Sequence, residues 1–173
     1  MKRKIYDKLL KWKQEQQGET ALLIDGARRV GKSYIVKEFA RREYKSHILI
    51  DFNKANKEVK ELFENYLDNL DMFFMHLSSY TSTQLHERES VIVFDEVQQY
   101  PKARAAIKYL VEDGRYDYIE TGSLISIKKN VEGIVIPSEE EHLKMYPMDF
   151  EEFLWAMGEE MLMPFIRSAF EAK

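Results

Sequence analysis

The sequence has 173 residues, 45% apolar and 32% charged, with a formal net charge of −4; this suits one globular domain with a real core and excludes a disordered chain. It contains no cysteine, which excludes disulfides, thiolate metal sites and cysteine nucleophiles. No window approaches the roughly 18 consecutive apolar residues of a membrane helix, and the basic start Met1-Lys2-Arg3-Lys4 meets Asp7, Lys8 and Lys11 too early for a signal peptide. A cytoplasmic protein without membrane association is expected.

Residues 3–17 read as an amphipathic helix closed by Gly18, with Ile5, Leu9 and Trp12 at helical spacing. Residues 1–45 hold 13 Lys/Arg against 6 Asp/Glu, a net +7 that leaves −11 for the remainder. Such a split fits a nucleic-acid or anionic-surface face, or a solvated helix face; the helical spacing favours the second. Ala21–Ile24 is a short apolar run of the buried-strand kind, and Lys32–Glu43 is helical through Ile35, Val36, Phe39 and Ala40. Ile48–Asp51 reads as a strand, and Val59–Leu77 as one helix with Leu62, Phe63, Tyr66, Leu67 and Leu70 on a common side. Residues 78–89 are polar and expected to form a loop.

Val91–Phe94 is the clearest buried strand and ends in two acids, Asp95 and Glu96. Pro101 suits the first position of a helix over Lys102–Glu112. Tyr116–Glu120 gives a further strand ending at Thr121-Gly122-Ser123, and Leu143–Met145 one more. A helix is expected to begin at Asp149, where Asp149 and Glu152 match a capping box, with an apolar stripe of Phe150, Phe153, Leu154 and Met157. Strands alternating with helices predict an α/β fold, a mostly parallel sheet with right-handed crossovers.

Two motifs carry chemistry. Gly26, Gly31, Lys32 and Ser33 complete the pattern G-x-x-x-x-G-K-[ST], whose glycines permit a tight turn with backbone N–H groups directed at phosphate. The whole stretch Gly26, Ala27, Arg28, Arg29, Val30, Gly31, Lys32, Ser33 and Tyr34 is therefore a candidate binding loop for ATP. In it, Lys32 reaches the terminal phosphates and the Ser33 hydroxyl is offered to Mg²⁺. Arg28 and Arg29 are not demanded by the pattern.

The second motif is the pair Asp95 and Glu96. At the C-terminal end of a parallel strand these acids reach the ligand crevice. Asp95 is expected to hold Mg²⁺ through water, and Glu96 to polarise the water attacking the γ-phosphate. Thr121 and Ser123 end a neighbouring strand and suit γ-phosphate sensing. His47, His76, His86 and His142 are scattered without paired spacing, which argues against a metal site made by protein ligands alone.

The strings "GARRVGKS", "VIVFDEVQQYPKARAAIKYLV", "YDYIETGSLISI" and "YPMDFEEFLWA" resemble the prokaryotic AAA-type P-loop ATPases known only as ATP-binding proteins, over essentially the whole chain. The resemblance implies a five-stranded core of order 5-1-4-3-2. It makes Lys32 and Ser33 Walker A residues, Asp95 and Glu96 Walker B, and Thr121 to Ser123 the first sensor. It implies a core over residues 1–148, with 149–173 beginning a helical region that continues in longer relatives, so the chain is expected to be a piece of a longer protein.

Such ATPases often carry an arginine finger after the first sensor and a second sensor arginine in a helical lid. No arginine occurs between Arg115 and Arg167, so Lys128 or Lys129 would have to substitute. The expected function is slow ATP hydrolysis driving a nucleotide-gated switch. The alternatives are an ATP-binding module without turnover, and a small-molecule kinase, for which residues 124–166 offer neither acceptor pocket nor arginine-rich lid. The apolar segment Met161, Leu162, Met163, Phe165, Ile166 and Phe170 is expected to mediate self-association or stay mobile.

Overall fold

The computed structural model describes residues 2–123 and 139–171. After α1 (Ile5–Gln16) come β1 (Ala21–Gly26), α2 (Lys32–Glu43), β2 (Ser46–Asp51), α3 (Lys57–Asn65) and α4 (Leu70–Thr81). Next are β3 (Ser90–Asp95), a 3-10 turn (Val97–Gln99), α5 (Pro101–Asp113), β4 (Asp117–Ser123), β5 (Glu140–Met145), α6 (Phe150–Ala156) and α7 (Leu162–Glu171). The five strands form one sheet in the order β2-β3-β4-β1-β5, and every pairing is parallel. This is the expected α/β core and, read from its far edge, the order 5-1-4-3-2.

The sheet is covered on both faces because its central strands are apolar on both. Leu23, Ile92, Phe94 and Tyr118 pack with residues of α3, α4 and α5, whereas Leu22, Ile24, Val91, Val93 and Ile119 pack with α1 and α2. Alternation along a strand sends successive side chains to opposite layers. Phe94 is fully buried and meets Phe52 and Phe63 edge-on at 5.8 and 5.6 Å. Removing such a ring costs about 3–5 kcal/mol, and here it would also loosen the strand end that carries Asp95.

Local signals set most boundaries. Pro101 opens α5, and Gly114 closes it at φ +74°. The capping box of α6 forms in both directions: the Glu152 N–H donates to Asp149 Oδ1 at 2.9 Å, and the Asp149 N–H to Glu152 Oε2 at 3.1 Å. No helix among the described residues is long and apolar enough to cross a membrane.

Three expectations need correction. The single helix over Val59–Leu77 is two, broken at Tyr66–Asn69, because Asn69 caps α4 by accepting the Met72 N–H at 3.2 Å. Tyr66, Leu67 and Leu70 still pack against the core across the break, which is why the apolar periodicity reads as continuous. The expected loop over 78–89 begins late, since α4 runs to Thr81.

The third concerns α6. Of its expected apolar stripe only Leu154 is buried; Phe150, Phe153 and Met157 are 60%, 49% and 65% exposed. Five of its seven residues, FEEFLWA, are apolar, yet it is its acidic side, held by salt bridges, that faces the N-terminal segment. Glu152 binds Arg3, while Lys4 binds Asp149 and Glu151. Lys2 Nζ lies 4.5 Å from the Trp155 ring centroid. Met161 and, in α7, Leu162, Phe165, Ile166 and Phe170 are exposed.

Candidate functional site

Residues 27–31 link the end of β1 to the start of α2 at the C-terminal edge of the sheet. Gly26 has φ +154°, and a Cβ there would lie 2.2 Å from the Met145 carbonyl oxygen, so the neighbouring strand excludes any side chain. Gly31 precedes α2 at φ +97°, a conformation that other residues adopt only with strain. The first N–H groups of a helix have no intrahelical acceptor, and with the helix dipole they form an anion-binding end. Ala27, Arg28, Arg29 and Tyr34 are exposed, Val30 and Gly31 partly so.

Lys32 is buried, 4% exposed, at the first turn of α2. Its Nζ donates to the carbonyls of Gly26 at 3.1 Å and Ala27 at 2.8 Å. Burial lowers its pKa, and the carboxylates of Glu96, Asp95 and Asp25 act in the opposite sense. The ammonium is therefore held by acceptors of its own loop, available to an anion that offers stronger ones.

The ends of β3 and β4 meet this loop. Ser33 Oγ bonds Asp95 Oδ1 at 2.8 Å, and the Thr121 hydroxyl donates to the same oxygen. The Glu96 N–H donates to Thr121 Oγ1 at 3.1 Å, and Gln98 Nε2 donates to a Glu96 carboxylate oxygen. Glu96 sits at φ +56°. Left-handed backbone costs a non-glycine residue about 1–3 kcal/mol and concentrates at functional sites.

Ser123 is buried at the end of β4, opposite Gly26 in the strand register. Ser33, Asp95, Thr121 and Glu96 thus form one chain of bonds, and Lys32 lies within the electrostatic reach of Glu96 and Asp95. Lys128 and Lys129 lie outside the described residues.

Three contributors carry no role in the sequence reading. Asp25 is a buried carboxylate just before Gly26. Gln98 follows the acid pair, ahead of the helix expected from Pro101. Arg3 lies in the basic start, yet its Nη1 donates to the Val30 carbonyl at 2.9 Å. Proximity in sequence signals the first two; nothing local signals Arg3. Beside it, a cavity of about 500 Å³ is lined in part by Arg3, Tyr6, Ile35 and Trp155.

The family described as AAA domain matches residues 18–154. The fold is similar to the Aeropyrum pernix ORC1 protein in complex with DNA, at TM-score 0.57 and 13% identity over 92% of this chain and 50% of that one. A further similar structure is C. elegans PCH-2, at TM-score 0.43 and 14% identity, covering 94% of this chain and 43% of that one. The chain thus spans about half the length of ORC1. At such identity the likeness to ORC1 concerns fold alone. No curated protein matches the sequence.

Proposed function

The chain belongs to the AAA domain family, a nucleotide-binding, ATPase-like module, and on that premise we propose that it binds ATP with Mg²⁺ and hydrolyses it slowly, as a nucleotide-gated switch. The observation that carries this is the convergence on one Asp95 oxygen of Ser33 from the loop and Thr121 from β4, with Lys32 buried beside them. In this reading residues 26–34 are the Walker A loop and Asp95 and Glu96 the Walker B acids. Lys32 exchanges the carbonyls of Gly26 and Ala27 for the terminal phosphates.

The Ser33 hydroxyl and Asp95 carboxylate, 2.8 Å apart, are hard oxygen donors that would hold Mg²⁺, Asp95 through water. The ion, when bound, neutralises charge on the phosphate oxygens. Glu96 orients the attacking water, because phosphoryl transfer asks the protein for positioning and electrostatics. Thr121 and Ser123 report on the γ-phosphate. The cavity lined by Tyr6, Ile35 and Trp155 is the room we assign to the nucleoside, so Trp155 fluorescence should report binding.

The absence of arginine between Arg115 and Arg167 favours slow turnover over fast, and leaves a module that binds without hydrolysis as the second reading. We further propose residues 1–148 as the core, 149–173 as the start of a helical region, and self-association through the exposed side chains of α6 and α7. The DNA in the ORC1 structure belongs to that protein.

Steady-state phosphate release with ATP–Mg²⁺ tests the hydrolysis. Release that needs no added acceptor supports an ATPase. Binding without release leaves the second reading, and the absence of any ATP-dependent Trp155 signal or thermal shift overturns the nucleotide site.

A further inference from the structure

Arg3 is separated from the phosphate loop by the whole of α1 and β1, yet it is 4% exposed and bonds to it. Its guanidinium serves three segments. Nη1 donates to the Val30 carbonyl at 2.9 Å, Nη2 to the Tyr146 carbonyl at 2.8 Å, and Nε to Glu152 Oε1 at 3.1 Å. Glu152 is itself shared, since Oε1 also accepts the Lys4 N–H at 2.8 Å and Oε2 accepts the Asp149 N–H. Burial opposes the charge on Glu152, but the donors from Lys4, Arg3 and Asp149 prevail and hold its carboxyl below the ordinary range. A buried guanidinium needs such a partner, because removing either member strands a charge.

The bond to Val30 has a directional consequence. The Val30–Gly31 peptide is trans, like every peptide bond described, so its C=O and N–H point to opposite sides of one plane. Holding the Val30 oxygen toward Arg3 turns the Gly31 N–H away from Arg3. That amide lies one residue before Lys32, in the stretch whose N–H groups must face a phosphate. Free rotation of this peptide would have to be lost on binding; here it is lost beforehand.

We propose that Arg3 is a positioning residue for the phosphate loop: it presets the Gly31 amide through Val30, and through Glu152 it ties the loop to α6. The proposal rests on the nucleotide reading of residues 26–33. The same three bonds make the coupling mutual, because whatever nucleotide does to the Val30 peptide is felt at Tyr146 and Glu152, and the reverse.

The test uses the whole chain and ADP–Mg²⁺ as probe. Arg3→Lys keeps the charge beside Glu152 but cannot reach three acceptors at once; Arg3→Gln removes the charge. Expected are a roughly 10-fold weaker Kd for Arg3→Lys and a larger loss for Arg3→Gln, at melting temperatures that show both folded. An unchanged Kd in folded Arg3→Gln overturns the proposal and reduces Arg3 to a structural clasp. Should neither variant fold, the native chain still decides. ADP must slow hydrogen exchange over 146–156, and unchanged exchange there overturns the tie to α6. Lys32→Ala separates the two levels: if it binds ADP as well as the native chain, the site assignment itself fails.

Discussion

Lys32 carries the first prediction because its environment is asymmetric. It is buried, its pKa is pushed down by that burial, and its hydrogen bonds go to the carbonyls of its own loop. ATP–Mg²⁺ at 100 times its Kd should stabilise the folded native chain by about 2.7 kcal/mol, read as a rise in melting temperature. Lys32→Ala should abolish most of that rise, and an equal rise in both proteins would count against the loop as the phosphate site. Glu96 makes a separate prediction. Its backbone lies at φ +56° between β3 and the 3-10 turn, its N–H bonds Thr121 Oγ1, and its carboxylate accepts from Gln98. Glu96→Gln should keep ATP affinity and lower phosphate release by about 100-fold or more. Turnover at the native rate would remove Glu96 from the chemistry.

At the scale of elements, β4, β5 and α5 enclose a titratable cluster unrelated to the loop. Glu120 is fully buried, next to Leu23 in the sheet, and His142 flanks Leu23 from the other side. Glu140 is held by Arg104 at 2.9 Å and by His142 Nε2 at 2.5 Å. The Glu120 oxygens meet no donor among the described residues except the neighbouring Glu140 carboxyl, a bond that exists only if one acid keeps its proton. Burial first, then Glu140, pushes the Glu120 pKa well above 4.5, with Arg104 acting the other way.

The sign follows from proton counts. Below pH 4.5 both folded and unfolded chains hold the proton; above it the unfolded chain releases it and the folded chain does not. Stability therefore falls as pH rises from there, by up to about 1.4 kcal/mol per pH unit for one retained proton. Glu120→Gln should flatten that slope and raise the melting temperature at pH 8. An unchanged pH profile would show that Glu120 is ionised in the folded chain.

For the whole molecule, the apolar surface is distributed unevenly. Both layers of the sheet are filled, while Phe150, Phe153, Met157, Met161, Phe165 and Phe170 stand exposed on or beside α6 and α7. Contiguous apolar patches beyond a few hundred Å² mark association surfaces in soluble proteins. The chain should self-associate with rising concentration in light scattering, and Phe165→Glu with Phe170→Glu should shift it towards monomer. A native chain that stays monomeric at about 100 μM, where contacts worth roughly 5–6 kcal/mol would register, would exclude association through this face.

The sequence by itself determined what short-range chemistry determines. The α2 boundaries, Pro101 and Gly114 around α5, and the α6 capping box depend on residues within a few positions of one another, so their signals are local. The loop pattern and the acid pair were legible for the same reason, and strand–helix alternation already implied a parallel sheet. The order of the strands came from resemblance, because periodicity says which residues are buried and not which strand lies beside which. Tertiary structure alone decided the rest. It brought Arg3 to Val30 and Glu152, 149 positions from Arg3 in the chain. It turned α6 onto its acidic face, and it buried Glu120 beside Glu140. In each case the partner is a backbone carbonyl or a charge from a distant element. A carbonyl is carried by every residue alike, so no spacing of side-chain types records the bond before the chain has folded.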